Sequence, residues 1–384
     1  MTASGMSLMY RNRLLPSPLA CKAGSHVLCA LPTGPSLPSL PGVHFLPRPA
    51  LYRVTLRPVK AVVCRHYGPP QSLVVENVPS PTAGPGDVVV AANAASINFP
   101  DLLIIQNQYQ IKPPLPFVVG SEVVGVVKSI GEGVQTINVG DKVTGFVPHG
   151  AFADEVRVPE NQVALIPNGM DWKGAAAFGL VYSTAEYALC DRGSLREGET
   201  LVVLGAAGGV GLAAIEVGRA LGARVIACAS SSDKLAVCRD HGATATVNYA
   251  TEDLRERVRI LTNGRGADVV FDPVGGGYTE LAVKSIAWQG RLLVVGFASG
   301  DIPLLALNLP LLKGCSIVGV HWGEYVRREP QGYASSIKKL AAWYAAGKLR
   351  PHISATFPLE RAWEALEVMA ERRAIGKVVI RIVE

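Results

Sequence analysis

The stretch LVVLGAAGGVGLAAIEVGRALGARVIACASSSDK, residues 201–234, decides the fold, because strand, glycine turn, helix and second strand follow without a gap. Leu201 to Leu204 are four apolar residues suited to a strand buried on both faces. Gly205, Gly208 and Gly211 then fall at three-residue steps into a helix. The spacing departs from the common G-x-G-x-x-G, but the mechanics are the same. They are a tight turn, close approach of backbone to a pyrophosphate, and a helix N-terminus whose free N–H groups face the phosphates. Val210, Ala214, Val217 and Leu221 recur at steps of four, three and four, which makes one apolar helical stripe, and Gly222 sits where a C-terminal cap is expected. The stretch reads as a dinucleotide-binding βαβ unit; the bland alternative is a tight βα turn that binds nothing.

Working outward, the chain of 384 residues is 49% hydrophobic and 18% charged, enough for two domains of ordinary globular composition. No segment approaches ~18 uninterrupted apolar residues, so no membrane-spanning helix is expected. Residues 1–57 differ from the rest. They hold no Asp or Glu, the first acidic residue being Glu76, while Arg11, Arg13, Lys22, Arg48, Arg53 and Arg57 lie among serines and prolines. Basic, serine-containing and acid-free is the composition of a mitochondrial transit peptide. Against that, PTGPSLPSLPG cannot join an amphipathic helix. Three readings stay open: a leader that places the protein in mitochondria, an unstructured leader of no targeting value on a cytoplasmic protein, and a mispredicted start. In each case it is excluded from the fold.

The six leader cations account for the whole formal charge of +6, leaving 31 residues of each sign in 58–384. A neutral body gives little support to nucleic acid binding, which rests on phosphate neutralisation. Seven cysteines, at 21, 29, 64, 190, 228, 238 and 315, form no C-x-x-C and no Cys-His pair at metal-ligand spacing. They suggest a reducing compartment, with buried thiols such as Cys228 acting as small hydrophobes.

KAVVCRHYG, QSLVVENV, GDVVVAANAASIN, EVVGVVKSIG and GDKVTGF are short Val-rich segments between Gly, Pro, Asn and Asp, the pattern of a compact β-rich lobe. From about residue 180 the grammar becomes strand then helix. Apolar runs at 201–204, 224–228, 245–248, 268–272, 291–296 and 316–320 are separated mostly by helical patterns such as TEDLRERVRILTN and YTELAVKSIAW. Six such strands make a doubly wound parallel sheet in an α/β protein. The end, QGYASSIKKLAAWYAAGKL, ISATFPL, ERAWEALEVMAERR and GKVVIRIV, adds two helices and short strands that return to the β-rich lobe. The expected organisation is leader 1–57, β-rich lobe 58–179, nucleotide-binding domain 180–320 and return 321–384.

ASINFPDLLIIQNQY, PFVVGSEVVGVV, GDKV, YSTAEYAL, LGAAGGVG, VNYATEDL, FDPVGGG and VVGFASG occur in the order in which the zinc-free quinone oxidoreductases of the medium-chain dehydrogenase/reductase superfamily carry them. Residues 58–384 resemble that family throughout. The resemblance implies a GroES-like β-rich catalytic domain and a six-stranded Rossmann domain. In the alcohol dehydrogenase branch the catalytic metal is held by a Cys in the position of Asn98 and a His in the position of Ser121, followed by Glu122. Asn98 and Ser121 supply neither thiolate nor imidazole, so no zinc is expected. Without a Lewis acid, a quinone or α,β-unsaturated carbonyl is a better hydride acceptor than a simple ketone.

Cofactor choice turns on the end of the second Rossmann strand, where NAD-binding units place Asp or Glu and this chain has Ala229, Ser230, Ser231 and Ser232. Serine hydroxyls and the cation of Lys234 favour the 2′-phosphate of NADPH. NADH stays open as the less favoured cofactor, with Asp233 as a displaced ribose ligand. Ser232 reads equally as a helix cap with Asp233 in the first turn. By resemblance Tyr249 lies beside the 2′-phosphate, although a Tyr after a strand is also ordinary turn sequence. Gly205, Gly208, Gly209, Val210, Gly211, Val274, Phe297 and Ala298 line the rest of the cofactor by the same resemblance. Asn98, Asp101, Tyr109 and Thr184 match positions around the nicotinamide and substrate. Tyr109 is expected to position the acceptor or protonate its reduced oxygen, with Asn98 as a hydrogen-bond partner. Asp101 is also suited to a helix N-terminus. His321 and Trp322 either wall the pocket or pack in the core. Family members pair through the last Rossmann strand, here about Ser316 to Val320, which implies a homodimer. Rival readings within the superfamily are a cofactor-binding structural or RNA-binding protein, and a mitochondrial enoyl thioester reductase.

Overall fold

The structure is a computed structural model that describes residues 58–383, so the leader lies outside the described residues. The first lobe runs β1 (Pro58–Cys64), β2 (Val74–Pro79), β3 (Asp87–Ser96), α1 (Phe99–Ile105), β4 (Phe117–Val118), β5 (Glu122–Ile130), β6 (Lys142–Phe146), β7 (Glu155–Pro159), β8 (Val163–Leu165) and α2 (Trp172–Ala176). Helix α3 (Gly179–Glu186) continues into a π-helical turn, Tyr187–Arg192. Alternation then sets in: β9 (Thr200–Val203), α4 (Gly209–Ala220), β10 (Arg224–Ala229), α5 (Ser232–Asp240), β11 (Ala245–Asn248), α6 (Leu254–Leu261), β12 (Ala267–Asp272), α7 (Gly277–Ser285), β13 (Ile286–Val294), α8 (Asn308–Lys313) and β14 (Ser316–Gly319). The chain ends with α9 (Trp322–Arg328), α10 (Pro330–Ala345), β15 (Ile353–Pro358), α11 (Ala362–Ala370) and β16 (Lys377–Arg381).

Strands β9 to β14 form one parallel sheet in the order β11-β10-β9-β12-β13-β14, which is the six-stranded doubly wound sheet expected from the sequence. Its two faces share out successive side chains of β9. Leu201 and Val203 pack with α3, α4 and Leu340 of α10, whereas Val202 and Leu204 pack with Leu254 and Val258 of α6 and Ala282 and Val283 of α7. Both faces are therefore dry, which is why the strand reads as an uninterrupted apolar run.

YTELAVKSIAW is helical only to Ser285. Ile286 pairs with Ala267 and opens β13, and Trp288 is exposed. A short apolar run does not by itself distinguish the end of a helix from the start of a strand. The cap after α4 is as expected, with Gly222 at φ +81°.

The first lobe holds a three-stranded sheet, β2-β1-β4, and a seven-stranded sheet built on β15-β16-β3-β5-β6-β8, with β7 also on β3. The C-terminal strand β16 pairs antiparallel with β3, Val379 opposite Ser96, and the Ile97 N–H donates to the Val378 carbonyl at 3.0 Å. That pairing carries the last residues of the chain to the start of α1. Just before it, the Gly376 N–H donates to the Ala207 carbonyl at 2.7 Å, and Gly376 bridges to Gly208 in the glycine turn.

Candidate active site

The glycine turn owes its shape to close contacts on three sides. Gly205 has φ +56°, and a Cβ there would lie 2.8 Å from Val274 Cγ2; at Gly211 a Cβ would lie 2.5 Å from the Gly205 carbonyl. Val274 is itself fixed, because Asp272 Oδ1 accepts from the N–H groups of Val274 and Gly275, both at 2.9 Å. Gly208 caps α4 and brings no side chain to the helix end. The N–H groups of Gly209, Val210 and Gly211 accordingly have no acceptor among the described residues, and they present the positive end of the helix dipole. Gly209 has a further reason to lack a side chain: a Cβ would stand 2.8 Å from Cδ of Lys377.

At the end of β10, Ser231 is the cap of α5, its hydroxyl accepting from the Lys234 N–H at 3.4 Å, so the cap expected at Ser232 is one residue earlier. Ser231 has the extended backbone of a cap, at φ −153° and ψ 158°, whereas Ser232 is already in the helix. Ser230 is exposed, and Asp233 lies in the first turn of α5, also exposed. Lys234 Nζ donates to the Arg372 carbonyl at 3.0 Å, and the Arg372 guanidinium donates to the Ser299 carbonyl at 2.9 Å. The Tyr249 N–H donates to the Ala229 carbonyl, and the ring packs on Tyr278 with centroids 4.6 Å apart. Burial pushes the Tyr249 phenol up to about 12, with Arg372 pulling the other way. Arg372 thus links the two: its carbonyl holds the Lys234 ammonium and its charge acts on the Tyr249 phenol. Arg372 is a residue the sequence reading missed.

Around the start of α1 lies a buried polar cluster of Ser96, Asn98, Asp101, Ser121, Glu122 and Lys377. Its charged members are almost wholly enclosed, Asp101 at 1%, Glu122 at 2% and Lys377 at 4% exposure. Lys377 Nζ donates to Asn98 Oδ1 at 2.6 Å and to the Ile97 carbonyl at 3.1 Å, and stands 3.5 Å from Glu122 Oε2. Glu122 Oε2 also accepts from Ser96 Oγ at 2.6 Å and from Asn98 Nδ2 at 3.3 Å, while its Oε1 accepts from the Leu180 N–H of α3 at 2.8 Å. One carboxylate thereby ties β3, β5 and α3 together. Burial holds the Lys377 ammonium below its ordinary pKa, opposed by Glu122 and Asp101.

Asp101 stands at the third position of α1, and its Oδ2 accepts from the Asn98 N–H at 2.8 Å. Its Oδ1 has no partner, and neither does Ser121 Oγ, although the hydroxyl lies near enough to favour the carboxylate. Burial raises Asp101 to about 7.

The Asn98 amide accepts from Lys377 Nζ at 2.6 Å and donates to the Ser96 carbonyl and to Glu122 Oε2, both at 3.3 Å. Tyr109 is half-buried; its phenol is pushed up from its usual value by burial and by Asp101, with Gln110 acting against both. Thr184 lies buried on α3, its hydroxyl donating to the Leu180 carbonyl of its own helix at 2.7 Å. Phe297 is half-buried against Gly275, and the Ala298 N–H is donated to the Pro273 carbonyl at 3.0 Å, so Ala298 offers a ligand its surface and not its N–H. Trp322 packs edge-on to Phe146 at 4.8 Å, a core residue, and His321 is exposed.

The profile of a family described as zinc-binding dehydrogenase matches residues 209–340, and that of the alcohol dehydrogenase GroES-like domain matches residues 84–168. Over 325 residues the chain is 39% identical to a quinone oxidoreductase-like protein 2 homolog of Nematostella vectensis, covering 84% of this chain and 88% of that protein. Quinone oxidoreductase-like protein 2 of Rattus norvegicus is 35% identical over 327 residues, 85% of this chain and 93% of the relative. Among solved structures, the Escherichia coli quinone oxidoreductase complexed with NADPH matches with a TM-score of 0.80 at 26% identity, over 84% of this chain and all of the other.

Proposed function

Because the chain belongs to the quinone oxidoreductase family of the medium-chain dehydrogenase/reductase superfamily, we propose that it transfers hydride from NADPH to a quinone or an α,β-unsaturated carbonyl, without zinc. The observation that carries this reading is the pair of cations, Lys234 and Arg372, gathered with Tyr249 at the end of β10, where NAD-binding units place a carboxylate. Two cations and a phenol suit a phosphate monoester and leave the ribose of NADH without its usual acceptor. The N–H groups of Gly209, Val210 and Gly211 suit the pyrophosphate. The NADPH complex of the Escherichia coli relative supports the same choice.

NADPH, when bound, supplies the hydride; the protein's own residues do the rest. In this reading Val274 and the loop carrying Phe297 close the nicotinamide end, and Tyr109 positions the acceptor or protonates its reduced oxygen. The donor set speaks against zinc at the family's catalytic position. Asn98 and Ser121 replace thiolate and imidazole, the Asn98 carbonyl oxygen is taken by Lys377, and an ammonium stands 3.5 Å from Glu122 where a metal's charge would compete with it.

Two copies are proposed to pair through β14, an edge strand with Ile317 exposed. Trp288 on the neighbouring strand β13, Leu311 and Leu312 on α8, and Leu304 and Leu307 just before it are all exposed apolar residues.

The test is oxidation of NADPH and NADH by the full chain with ortho-quinones, para-quinones and enones under one set of conditions. Turnover of NADPH with one acceptor class is the expected result. Tight NADPH binding with no turnover of any acceptor would replace the reductase with a cofactor-binding protein.

A further inference from the structure

The peptide joining Gly376 to Lys377 lies directly against the start of α4. The Gly376 N–H donates to the Ala207 carbonyl at 2.7 Å, and Gly376 bridges to Gly208. A Cβ on Gly209 would stand 3.4 Å from the Gly376 carbonyl oxygen and 2.8 Å from Lys377 Cδ. One residue fills the other side of Gly376. A Cβ on Gly376 would fall 2.4 Å from the His352 carbonyl oxygen, 2.8 Å from its ring carbon Cδ2 and 3.0 Å from its Cβ, and the φ of +67° itself calls for glycine. The His352 carbonyl also accepts from the Lys377 N–H at 2.8 Å. Gly376 is thus clasped between the glycine turn and His352.

His352 is backed in its turn. Its ring meets that of His241 edge-on, with centroids 5.3 Å apart. His241, at the end of α5, is 7% exposed, and its Nδ1 stands 2.7 Å from Glu216 Oε1. Glu216 is a fully buried carboxylate of α4, and its other oxygen accepts from the Tyr182 hydroxyl at 2.6 Å and from the Arg350 N–H at 2.8 Å. It follows Gly209 by seven residues, about two helical turns. The contacts therefore close on themselves, running from the N-terminus of α4 through Gly376, His352 and His241 to the middle of the same helix. A buried carboxylate with three partners is a firm anchor, because each partner lost leaves a desolvated group behind.

We propose, on the cofactor reading above, that His352 is a positioning residue for the dinucleotide: its ring, braced by His241 and Glu216, wedges Gly376 against the glycine turn. The wedge holds the N–H groups of Gly209, Val210 and Gly211 in place for the pyrophosphate, and a proton on His352 releases it. His352 acts through Gly376 and not by contact with the cofactor. Unlike its brace it is half-buried, so a proton reaches it from solvent. Burial holds its imidazole below the ordinary pKa, His241 acts in the same sense, and Glu216 opposes both. The remaining neighbours turn their polar ends elsewhere, Tyr182 to Glu216, the Arg350 guanidinium to the Asp240 carbonyl and the Lys377 ammonium to Asn98. The imidazolium is therefore disfavoured in the wedged position, and acid draws the ring toward water and away from Gly376. Dinucleotide binding, which needs the turn in place, weakens as the pH falls through this titration.

The experiment is titration calorimetry of the full chain with NADP⁺, whose oxidised ring survives acid, at pH 7.5 and pH 5.5 in wild type, His352→Ala and His352→Phe. His352→Ala removes the ring and should weaken binding at pH 7.5 by about tenfold. His352→Phe keeps a ring that takes no proton and should bind within about threefold of wild type at that pH. The 2′-phosphate titrates near about pH 6 in every sample, so the wild type is read against His352→Phe. Between the two pH values the wild type should lose about fivefold more affinity than His352→Phe does. Should His352→Ala fail to fold, the comparison of wild type with His352→Phe alone decides. His352→Ala binding within about twofold of wild type, or wild type and His352→Phe weakening in parallel, overturns the wedge while leaving the cofactor reading intact. A wild type that binds no NADP⁺ sinks the cofactor reading, and this inference with it.

Discussion

Replacing Lys377 by Met tests whether the far end of the chain holds the site together. The substitution keeps the length of the stem that passes Gly209 but removes the ammonium. Asn98 Oδ1 loses a donor at 2.6 Å, the Ile97 carbonyl one at 3.1 Å, and Glu122 keeps a buried charge with no cation 3.5 Å away. Breaking one partner out of an enclosed ion pair costs about 3–5 kcal/mol, because the remaining charge stays desolvated. Two acceptors left short of a donor push toward the upper end of that range. Denaturant unfolding of wild type and variant, read at equal slope, should show a loss of this size. A second substitution, Glu122→Gln in the Lys377→Met background, should recover part of it by removing the stranded charge. A loss below about 1 kcal/mol for Lys377→Met alone would mean that the ammonium carries no structural weight, and the argument from its burial would be wrong.

Glu at position 234 or 372 should weaken NADPH binding by about tenfold or more while leaving NADH within about twofold, measured by titration calorimetry; equal loss of both would move the cations away from the 2′-phosphate. Gly211→Val places a side chain against the Gly205 carbonyl, already 2.5 Å from a Cβ, and should abolish binding of both cofactors in the same assay. Asp101→Asn should change how stability depends on pH. The folded protein holds the Asp101 proton up to about 7, whereas an unfolded Asp releases it near 4. Wild-type stability therefore falls across that window, and the fall between pH 5 and pH 8, of the order of 2.5 kcal/mol, should be missing from the variant when unfolding is compared at those two pH values. Ile317→Lys on the exposed edge of β14 should convert a dimer to a monomer in sedimentation; a wild type that sediments as a monomer removes the proposed interface.

The nucleotide-binding half was legible because its signals are local. A strand buried on both faces, a glycine turn and an apolar stripe all lie within residues 201–234, and the same grammar repeats through β14. The misreadings have physical causes. Trp288 follows a helix in an apolar run, yet stands exposed on a strand that begins at Ile286, and composition alone does not choose between those states. Ser231 and Ser232 are one residue apart, and only backbone geometry shows which caps α5. The partners of Asn98 were not legible, because they lie far from it along the chain. Lys377 and Arg372, which supply its partner and one of the cations beside Tyr249, arrive from the last thirteen residues of the chain through the pairing of β16 with β3 and the bridge from Gly376 to Gly208. No periodicity or spacing near Asn98 or Ser230 announces them.

Hydride transfer from NADPH is read from kcat/KM for NADPH and for NADH with the acceptor that the full chain turns over fastest, followed by loss of the reduced nicotinamide. NADPH oxidation should be favoured by about tenfold or more, with the preference lost in Lys234→Glu. NADH used as well as NADPH, or neither oxidised with any quinone or enone, would contradict it.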